Sequence, residues 1–591
     1  MGPGPAASFL TPSRLLPDDL QASRFPDSTE TAMSTSILMN MSVQAMFAAQ
    51  AQLATTGHNI VNASVKGYSR QEVKLSTVAG QQTSGGYIGR GVSVQTVERS
   101  YNAFLSGQVT QTQAQAAADS TRLGLLEQLE SAYGLGEEGL GQATADLYAS
   151  FSDLAAAPTD ESVREVVLGK AQELTSRFRA TGDQIEQLHD ATLSEIEDQV
   201  SLVNGLTAKI ASLNSKLAGT ASEANQPNDL LDQRDQLIKE LSQHIEVSRV
   251  DTRGADGKLD GTVSLFAAGG QALVMGSDTR ELSVSLSDGS PRMAHLEIES
   301  SGTTRPLDSD SITGGNLGGL LRFQNEDLSE ARNQLGVLAT VLADTINTQH
   351  AQGTDLDGNA GGDLLSVGEA SVRPGDRNAR DALGQPATSV QITRVAGSGA
   401  DLHASDYELR TDPSDASAYQ VTRLSDGKVF SGVASGATLD GFRIDVSGSA
   451  MASGDRFTLQ PVSQAAQNAG VAIADGRKIA AAGSASAGSG NANALKLQSL
   501  ATAKTFEGRS FTDAHSRMVA DLGVKVQRAE SDSTASTAVA DRVTEQISSE
   551  TGVNLEEEAA RLIQFQQNYQ VAAKVLNTTQ KIFDTILSIM N

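Results

Sequence analysis

The stretch that decides the fold lies near the end of the chain, where residues 553–590 read VNLEEEAARLIQFQQNYQVAAKVLNTTQKIFDTILSIM. Large side chains recur there every seven residues: Leu555, Leu562, Tyr569, Leu576, Phe583 and Met590. The second apolar position of the same repeat is filled by Phe565, Ala572, Thr579 and Ile586. A seven-residue repeat sustained without a break predicts an amphipathic helix of the coiled-coil type.

A matching stripe lies near the other end, in residues 37–60. Its members are Met39, Met46, Leu53 and Ile60, with the small Ala49 and Thr56 between them. An apolar stripe on one helix most often packs into the core of its own domain. A terminal helix with one apolar face, however, is only marginally stable unless another element covers that face. We therefore expect each stripe to cover the other or a neighbouring subunit. The predicted assembly interface is Met39, Met46, Leu53, Ile60, Leu555, Leu562, Phe565, Tyr569, Leu576, Phe583 and Ile586.

The pattern between these ends alternates between helical and strand-like segments. Three- and four-residue spacing predicts a helix about 58 residues long over 160–217. Period-two alternation predicts antiparallel strands around 263–298 and 390–462. The predicted fold is multi-domain α+β: long terminal helices form a coiled-coil-like rod, with a helical inner domain and inserted β-rich outer domains.

The domain boundaries follow from changes in this pattern. Residues 1–32 are proline-rich and are predicted to be disordered or a mis-called extension, with Met33 as the natural start. The remaining predicted parts are a terminal coiled-coil assembly domain (33–66 plus 553–591), a helical rod domain (67–245 plus 314–360 plus 491–552), a β-rich domain (246–313), a β-rich outer domain (361–478) and a linker (479–490).

Composition excludes several classes of function. The chain has 71 acidic and 45 basic residues and a formal net charge of −26, so nucleic acid and anionic membranes would repel it. It has no cysteine, which excludes disulfides, thiolate nucleophiles and cysteine metal sites. No continuous apolar run reaches the length of a membrane span, and the first residues do not read as a secretory signal peptide.

No motif for catalysis or metal binding survives inspection. Asp355-Leu356-Asp357-Gly358-Asn359 begins like a calcium loop, but Ala360 replaces the required glycine and Ser366 replaces the bidentate glutamate. Asp229, Asp232 and Asp235 share one helical face, which we interpret as solvated and ion-paired because basic residues lie nearby. We therefore predict no catalytic residue, no metal and no cofactor.

Several segments carry a resemblance to a known family. Asn59-Ile60-Val61-Asn62-Ala63 followed by Gly67-Tyr68-Ser69-Arg70-Gln71 resembles the signature of flagellar rod, hook and hook-associated proteins, the flagellar axial proteins. The motif residues are Asn59, Asn62, Gly67, Tyr68, Ser69 and Arg70. Further similarity lies in the segments 227–235, 318–321, 347–350 and 552–569, and it is weak over 375–470. Family members usually have Thr-Pro where this chain has Val65-Lys66, which leaves the turn after the first helix in doubt.

The resemblance implies a structural subunit that self-assembles into the junction between hook and filament. It implies a tubular homo-oligomer, with hook protein and hook-associated protein 3 as neighbours and a cytoplasmic export chaperone at the C-terminal region. It also implies export through the flagellar type III apparatus and an extracellular location.

The residues leave three alternatives open. The chain could be another axial protein, such as hook-associated protein 3 or a hook subunit, although its length and residues 228–235 argue against both. An axial protein with a cell-wall hydrolase domain is less favoured, because the β-rich stretch 375–470 lacks a recognisable nucleophile or metal set. A coiled-coil adhesin would require an export signal or anchor.

Charge placed in the predicted C-terminal stripe should separate folding from assembly. We expect Leu562→Asp or Leu576→Asp to leave the middle of the chain folded and soluble but to abolish the junction, because a carboxylate cannot be buried in an apolar stripe. Electron microscopy of cells carrying either variant measures this, and normally attached filaments would contradict it.

Overall fold

The computed structural model describes residues 28–83, 86–134, 139–218, 227–253, 259–287, 290–300, 302–483 and 489–590. Its helices are α1 (Ser28–Asn62), α2 (Ala103–Ala132), α3 (Leu140–Ala156), α4 (Glu161–Ala218), α5 (Asn228–His244), α6 (Gly315–Arg322), α7 (Leu328–His350), α8 (Ala492–Ser499), α9 (Phe511–Thr551) and α10 (Leu555–Met590). A π-helical turn, Phe323–Asp327, joins α6 to α7. None of the described helices combines the length and apolarity that crossing a bilayer requires.

The strands are short and antiparallel. Their bounds in the first half are β1 (Gln71–Thr77), β2 (Gln81–Thr83), β3 (Gly86–Ile88), β4 (Val92–Arg99), β5 (Val247–Arg253), β6 (Leu259–Ala267), β7 (Gln271–Met275), β8 (Asp278–Thr279), β9 (Leu282–Ser287), β10 (Ser290–Ser300) and β11 (Thr303–Pro306). Those in the second half are β12 (Gly353–Thr354), β13 (Leu365–Ser366), β14 (Ser371–Pro374), β15 (Thr388–Arg394), β16 (Tyr407–Asp412), β17 (Asp415–Arg423), β18 (Val429–Val433), β19 (Thr438–Leu439), β20 (Phe442–Gly448), β21 (Phe457–Gln460), β22 (Gly470–Val471) and β23 (Ala482–Gly483). The predicted multi-domain α+β class is confirmed.

The chain divides into two compact units. The terminal unit comprises the described residues up to Ser100 together with those from Gly552 onward, and the main unit runs from Tyr101 to Thr551. The terminal unit therefore contains the ribbon of β1 and β4, which the sequence boundary at residue 66 had assigned to the rod domain. Helix α1 begins at Ser28, so Met33 lies inside a helix rather than before one. Residues 1–27 lie outside the described ranges.

The main unit has three apolar cores. The first joins α3, α4, α7, α8 and α9 around side chains such as Leu147, Phe151 and Leu335. The second packs strands β5–β10 directly onto α4, α5 and α6 through residues such as Ile210, Leu241 and Leu296. The region predicted as a separate β-rich domain, 246–313, therefore shares its core with the helices.

The third core belongs to the inserted sheets, which we call the second β domain (Ser371–Gln460). One sheet has the strand order β14-β21-β16-β17-β18 and the other β15-β20-β19. Their facing side chains, including Tyr407, Phe442 and Leu459, form a core of their own. This domain has the antiparallel strands that the alternation over 390–462 predicts.

The structure corrects the predicted linker at 479–490. Ile479, Ala480, Ala481 and Ala482 are completely buried, and β23 pairs with β12. The low charge of this stretch reflects burial among small side chains, not mobility. Residues 484–488 lie outside the described ranges.

A glycine in the segment 318–321 permits close packing of two helices. A Cβ atom on Gly319 would lie 2.4 Å from the carbonyl oxygen of Ala118, so α6 approaches the backbone of α2 at that point. On α4, by contrast, a Cβ on Gly205 would have no neighbour within 4 Å.

These two glycines predict effects of opposite sign. We expect Gly319→Ala to lower the free energy of unfolding of the main unit by about 1–3 kcal/mol, because the backbones must separate. Gly205→Ala should raise the free energy of unfolding by about 0.5–1 kcal/mol, because alanine is the better residue inside an exposed helix. Urea titration followed by circular dichroism measures both; equal effects of the two substitutions would contradict the packing described.

Candidate assembly site of the terminal unit

The terminal unit is built on the pairing of α1 with α10. A hydrogen bond joins Asn59, in the last turn of α1, to Glu558, in the first turn of α10, so the two helices run antiparallel. The chain therefore brings together residues 499 positions apart.

Small side chains lie at the centre of the helix pair. Ala49, Thr56, Ala572 and Thr579 are buried, whereas the larger members of both stripes are half-buried. These half-buried residues are Met46, Leu53, Ile60, Leu562, Phe565, Tyr569, Leu576 and Ile586. Of the predicted interface residues, Met39, Leu555 and Phe583 are exposed. Most of the predicted interface thus lies between the two helices of one chain.

One polar side chain organises the junction between α1, β1 and α10. Asn59 is 1% exposed. Its amide nitrogen donates to the Gln71 carbonyl at 2.9 Å and to Glu558 Oε2 at 3.0 Å. Its oxygen accepts from the Tyr68 hydroxyl at 2.7 Å and from the Gln71 backbone N–H at 2.9 Å. All four hydrogen-bonding positions of the carboxamide are used.

The turn after α1 places Tyr68 and Gln71 within hydrogen-bonding distance of Asn59. The Asn62 side chain donates to the His58 carbonyl in the last turn of the helix. Val65 N–H donates to the Asn62 carbonyl, and Gly67 adopts φ +82°, a conformation that glycine takes without strain. Tyr68 then lies beside His58, with 2.9 Å between the Tyr68 hydroxyl and His58 Nδ1. The Val65-Lys66 variant of the motif therefore still forms a closed turn.

The start of α10 carries the other half of the contact. Asn554 caps the helix by accepting from the backbone N–H of Glu556 at 2.9 Å. Three glutamates follow in the first turn, where the positive end of the helix dipole favours negative charge. Glu558 is 1% exposed, while Glu557 lies 3.5 Å from Arg70 and Arg561 lies 3.8 Å from Glu72.

The buried contact fixes the pairing more firmly than the ion pairs do. The Arg70–Glu557 and Arg561–Glu72 pairs are long and partly exposed, and such pairs contribute about 0–1 kcal/mol each. Burying a carboxylate without a partner would cost several kcal/mol. The arrangement in which Glu558 meets Asn59 is therefore strongly favoured over a shifted one. We call Asn59, Tyr68, Gln71 and Glu558 the Asn59 cluster.

The sequence contains a signal for this cluster that the apolar members of the stripes do not reveal. Glu558 occupies the heptad position of Phe565, Ala572, Thr579 and Ile586, one repeat earlier. A charged residue at a core position of a heptad requires a buried partner and often fixes register. The motif residues Asn59, Tyr68 and Arg70, singled out by resemblance alone, supply that partner and its surroundings.

The calcium-like loop in the main unit is already neutralised by protein groups. Asp355 accepts from the backbone N–H groups of Asp357 and Asn359 and is paired with Lys478. Hydrogen bonds from Arg477 and Lys478 lower the pKa of Asp357. These carboxylates hold the loop against a basic turn, which is a structural role.

The acidic face of α5, which we interpreted from the sequence as solvated and ion-paired, is partly buried in the structure. Asp235 does form an ion pair with Arg249 at 2.8 Å. Asp232 and Arg234, however, are buried, and Arg234 donates to the Gly261 carbonyl at 2.7 Å. The charge pattern on this helix anchors it to β6 rather than facing water.

The described residues bring three other possible metal ligands close together. Glu186, His189 and Asp190 on α4 have ligand atoms within 4.8 Å of one another. His189 Nδ1 lies 3.1 Å from Asp190 Oδ1, and the Asp190 side chain is largely exposed. Three adjacent side chains on one helix are common without an ion, so the grouping is an ordinary histidine–aspartate contact.

Comparisons with known proteins agree with these features. Three segments match family models: residues 126–365 match the flagellar hook-associated protein FlgK helical domain, residues 383–461 the flagellar hook-associated protein 1 D2-like domain, and residues 545–589 the flagellar basal body rod FlgEFG protein C-terminal region. The second match falls where the sequence resemblance is weak.

Relatives cover nearly the whole chain. Flagellar hook-associated protein 1 of Salmonella typhimurium is 33% identical over 569 residues, 94% of this chain and 100% of the relative. The Escherichia coli K12 protein of that name is 33% identical over 565 residues, again 94% and 100%. The solved structure of the flagellar hook junction protein FlgK from Burkholderia pseudomallei is similar with a TM-score of 0.67 and 25% identity, covering 75% of this chain and 100% of that one.

The paired terminal helices and the long helical main unit are those of a flagellar axial structural protein. Within that class, the chain belongs to the flagellar hook-associated protein 1 family, the structural proteins of the hook–filament junction. The alternatives of hook-associated protein 3 and a hook subunit are thereby set aside. Its relatives are structural components of the flagellum.

The Asn59 cluster predicts a strong coupling between the two chain ends. We expect Asn59→Ala to destabilise the start of α10 by about 2 kcal/mol, because Glu558 is left buried without its partner. Hydrogen exchange of peptides from residues 555–565 measures the loss of protection in the full chain.

A double-mutant cycle separates this contact from general damage. Asn59→Ala combined with Glu558→Ala should cost at least about 1 kcal/mol less than the sum of the single changes. The matched control is Glu556→Ala, an exposed glutamate in the same turn, which should show no coupling to Asn59→Ala. Additive effects at Asn59 and Glu558 would refute the contact.

Proposed function

We propose that this chain is a subunit of the hook–filament junction whose copies assemble through the terminal unit. The observation that supports this is the uncovered apolar surface that remains after α1 and α10 have paired. The contact between α1 and α10 covers one apolar stripe on each helix. A second row of apolar side chains on each helix remains exposed.

The second rows are regular in spacing. On α1 the row is Phe47, Ala54 and Val61, seven residues apart, and Phe47 is 63% exposed. On α10 it is Val571, Val575 and Ile582, with Val571 63% exposed. At about 100° per residue, each row spans only about 40° of its helix. We call these the outward rows.

A second copy of the chain is the natural cover for the outward rows. Fully burying one valine, isoleucine or phenylalanine contributes about 1.5–3 kcal/mol, so a few residues per helix suffice to order a marginal terminal helix. A contact between unlike faces of identical subunits continues around a ring or along a helix. Repetition of this contact builds a tube from terminal units, which fits the tubular homo-oligomer expected for the family. On α1, the exposed Met39 would extend the same contact.

The place of the subunit in the flagellum follows from its family. We infer that hook protein and hook-associated protein 3 are its neighbours at the two ends of the junction, and that an export chaperone covers the C-terminal region before assembly. The outward row of α10 is the kind of exposed apolar surface that such a chaperone would protect. We further infer an extracellular location at the hook–filament junction. No nucleic acid, membrane or cofactor takes part in this function.

The outward rows predict a variant that assembles poorly but folds normally. We expect Val575→Asp to leave the α1–α10 pair intact, because this position is exposed, and to reduce junction assembly at least about tenfold. Asn577→Asp adds the same charge on the opposite side of α10 and is the matched control.

Electron microscopy of filaments attached to hooks measures assembly, and hydrogen exchange of residues 555–590 in the free chain checks folding. The proposal predicts few attached filaments for Val575→Asp and normal numbers for Asn577→Asp. Normal attachment in Val575→Asp would show that the outward row is not an assembly surface.

A further inference from the structure

The second β domain is joined to the helices of the main unit by two paired segments, and it also contacts α7 directly through the Arg332–Asp406 ion pair. Residues 353–366 lead out from α7, and residues 470–483 return. The pairs β12–β23 and β13–β22 join the outgoing and returning segments. We call these two segments the stem.

Three polar side chains at the end of α7 hold the base of the stem. Asn347 accepts from the backbone N–H groups of Leu364 and Leu365, each at 2.9 Å, and donates to the Leu365 carbonyl. Gln349 donates to Asn493, which in turn donates to the Ala480 carbonyl at 2.6 Å. Asn347 directly, and Gln349 through Asn493, thus connect the end of α7 to backbone groups of the stem.

His350 is the third and is completely buried. Its Nδ1 lies 2.7 Å from the Gly362 carbonyl, and its Nε2 lies 2.8 Å from the Ala480 backbone nitrogen. A carbonyl can only accept and a backbone N–H can only donate. The ring must therefore carry its proton on Nδ1 and present a lone pair at Nε2, which is the neutral form.

Protonation of this ring would break one of its two contacts. A proton on Nε2 would face the N–H of Ala480, so a hydrogen bond would be replaced by two opposed donors. The ring is completely buried, so no solvent is at hand to accept the added proton in place of a protein group. The chain neighbours of Ala480 are alanine and isoleucine, all completely buried, and the nearby Asn493 already accepts from Gln349 and donates to the Ala480 carbonyl.

The charges around the ring act in both directions. Asp355 and Asp363, on the outgoing segment, favour the protonated ring. Arg164, on α4, is the buried cation on this side of the stem: its guanidinium donates to the carbonyl of Ile479, next to Ala480. Arg477 and Lys478 add positive charge on the returning turn and are paired with Asp357 and Asp355. Burial dominates, and the pKa of His350 lies below its ordinary value.

We propose that His350 is an acid-sensitive latch, which holds the stem closed while its ring is neutral and releases the returning segment when the ring is protonated. The second β domain has its own core and remains folded when the latch opens. Its attachment to the helices is then loosened without loss of the domain itself.

The sign and size of the effect follow from proton linkage. The closed stem binds the proton less readily than the open stem, where the ring has the ordinary histidine pKa of about 6.5. Stability of the closed stem is therefore complete above about pH 6.5 and falls as the pH drops below it. Between pH 7.5 and 5.5 the opening equilibrium constant should rise, by at most about tenfold.

Hydrogen exchange of the full chain tests the latch directly. After correction for intrinsic exchange, a peptide containing residues 479–483 should exchange faster at pH 5.5 than at pH 7.5, by at most about tenfold. Peptides from β20 should keep their protection. In His350→Gln the carboxamide can accept from Ala480 and donate to Gly362 without titrating, so the pH dependence should disappear. His403→Gln, at a partly exposed histidine of the second β domain, should keep the wild-type response.

Three results would overturn the proposal. The first is exchange of residues 479–483 that does not change with pH in the wild type. The second is an equal change with pH in peptides from β20. The third is a pH response of His350→Gln that equals that of the wild type. If circular dichroism shows that His350→Gln does not fold, the wild-type comparison of the stem with β20 still decides between a local latch and none.

Discussion

The structure of the terminal unit depends on one buried contact between the two ends of the chain, the hydrogen bond from Asn59 to Glu558. Asn59 has every hydrogen-bonding position filled, and Glu558 is a carboxylate removed from water. A heptad seam of small residues alone would tolerate sliding by a turn. The polar pair does not, because any shift leaves a buried charge without its partner. Because Asn59 and Glu558 lie near opposite ends of the chain, their hydrogen bond can form only when both ends are present.

The main unit uses buried polar side chains in a related way. Where the chain leaves the helices for the second β domain and returns, Asn347 and His350 bind backbone groups of both segments, and Gln349 holds the Asn493 side chain that binds the Ala480 carbonyl. Arg164 does the same on α4 by donating to the carbonyls of Pro158 and Ile479. The apolar cores give each region its stability, while these side chains determine where the regions join.

Much of this organisation could be predicted from residue patterns. The terminal stripes, the long α4 and the antiparallel strands of the second β domain all have strong periodicity, and each was found. The errors have a common cause. The stretch 479–482 has the composition of a linker but is buried because alanines fit a narrow space, and Asp232 and Arg234 look solvent-facing but pair internally. Composition describes a segment alone, whereas burial depends on what distant segments place around it. The terminal stripes were expected to cover each other or a neighbouring subunit, and α1 does pair with α10 of the same chain.

Electron cryo-microscopy of the assembled hook–filament junction tests the central claim most directly. The account predicts that Asn59 and Glu558 of the same chain remain hydrogen-bonded in every subunit, and that Phe47, Val61, Val571 and Val575 are buried against neighbouring copies. Outward rows that face solvent in the assembly, or an Asn59 bonded to Glu558 of a different copy, would contradict it.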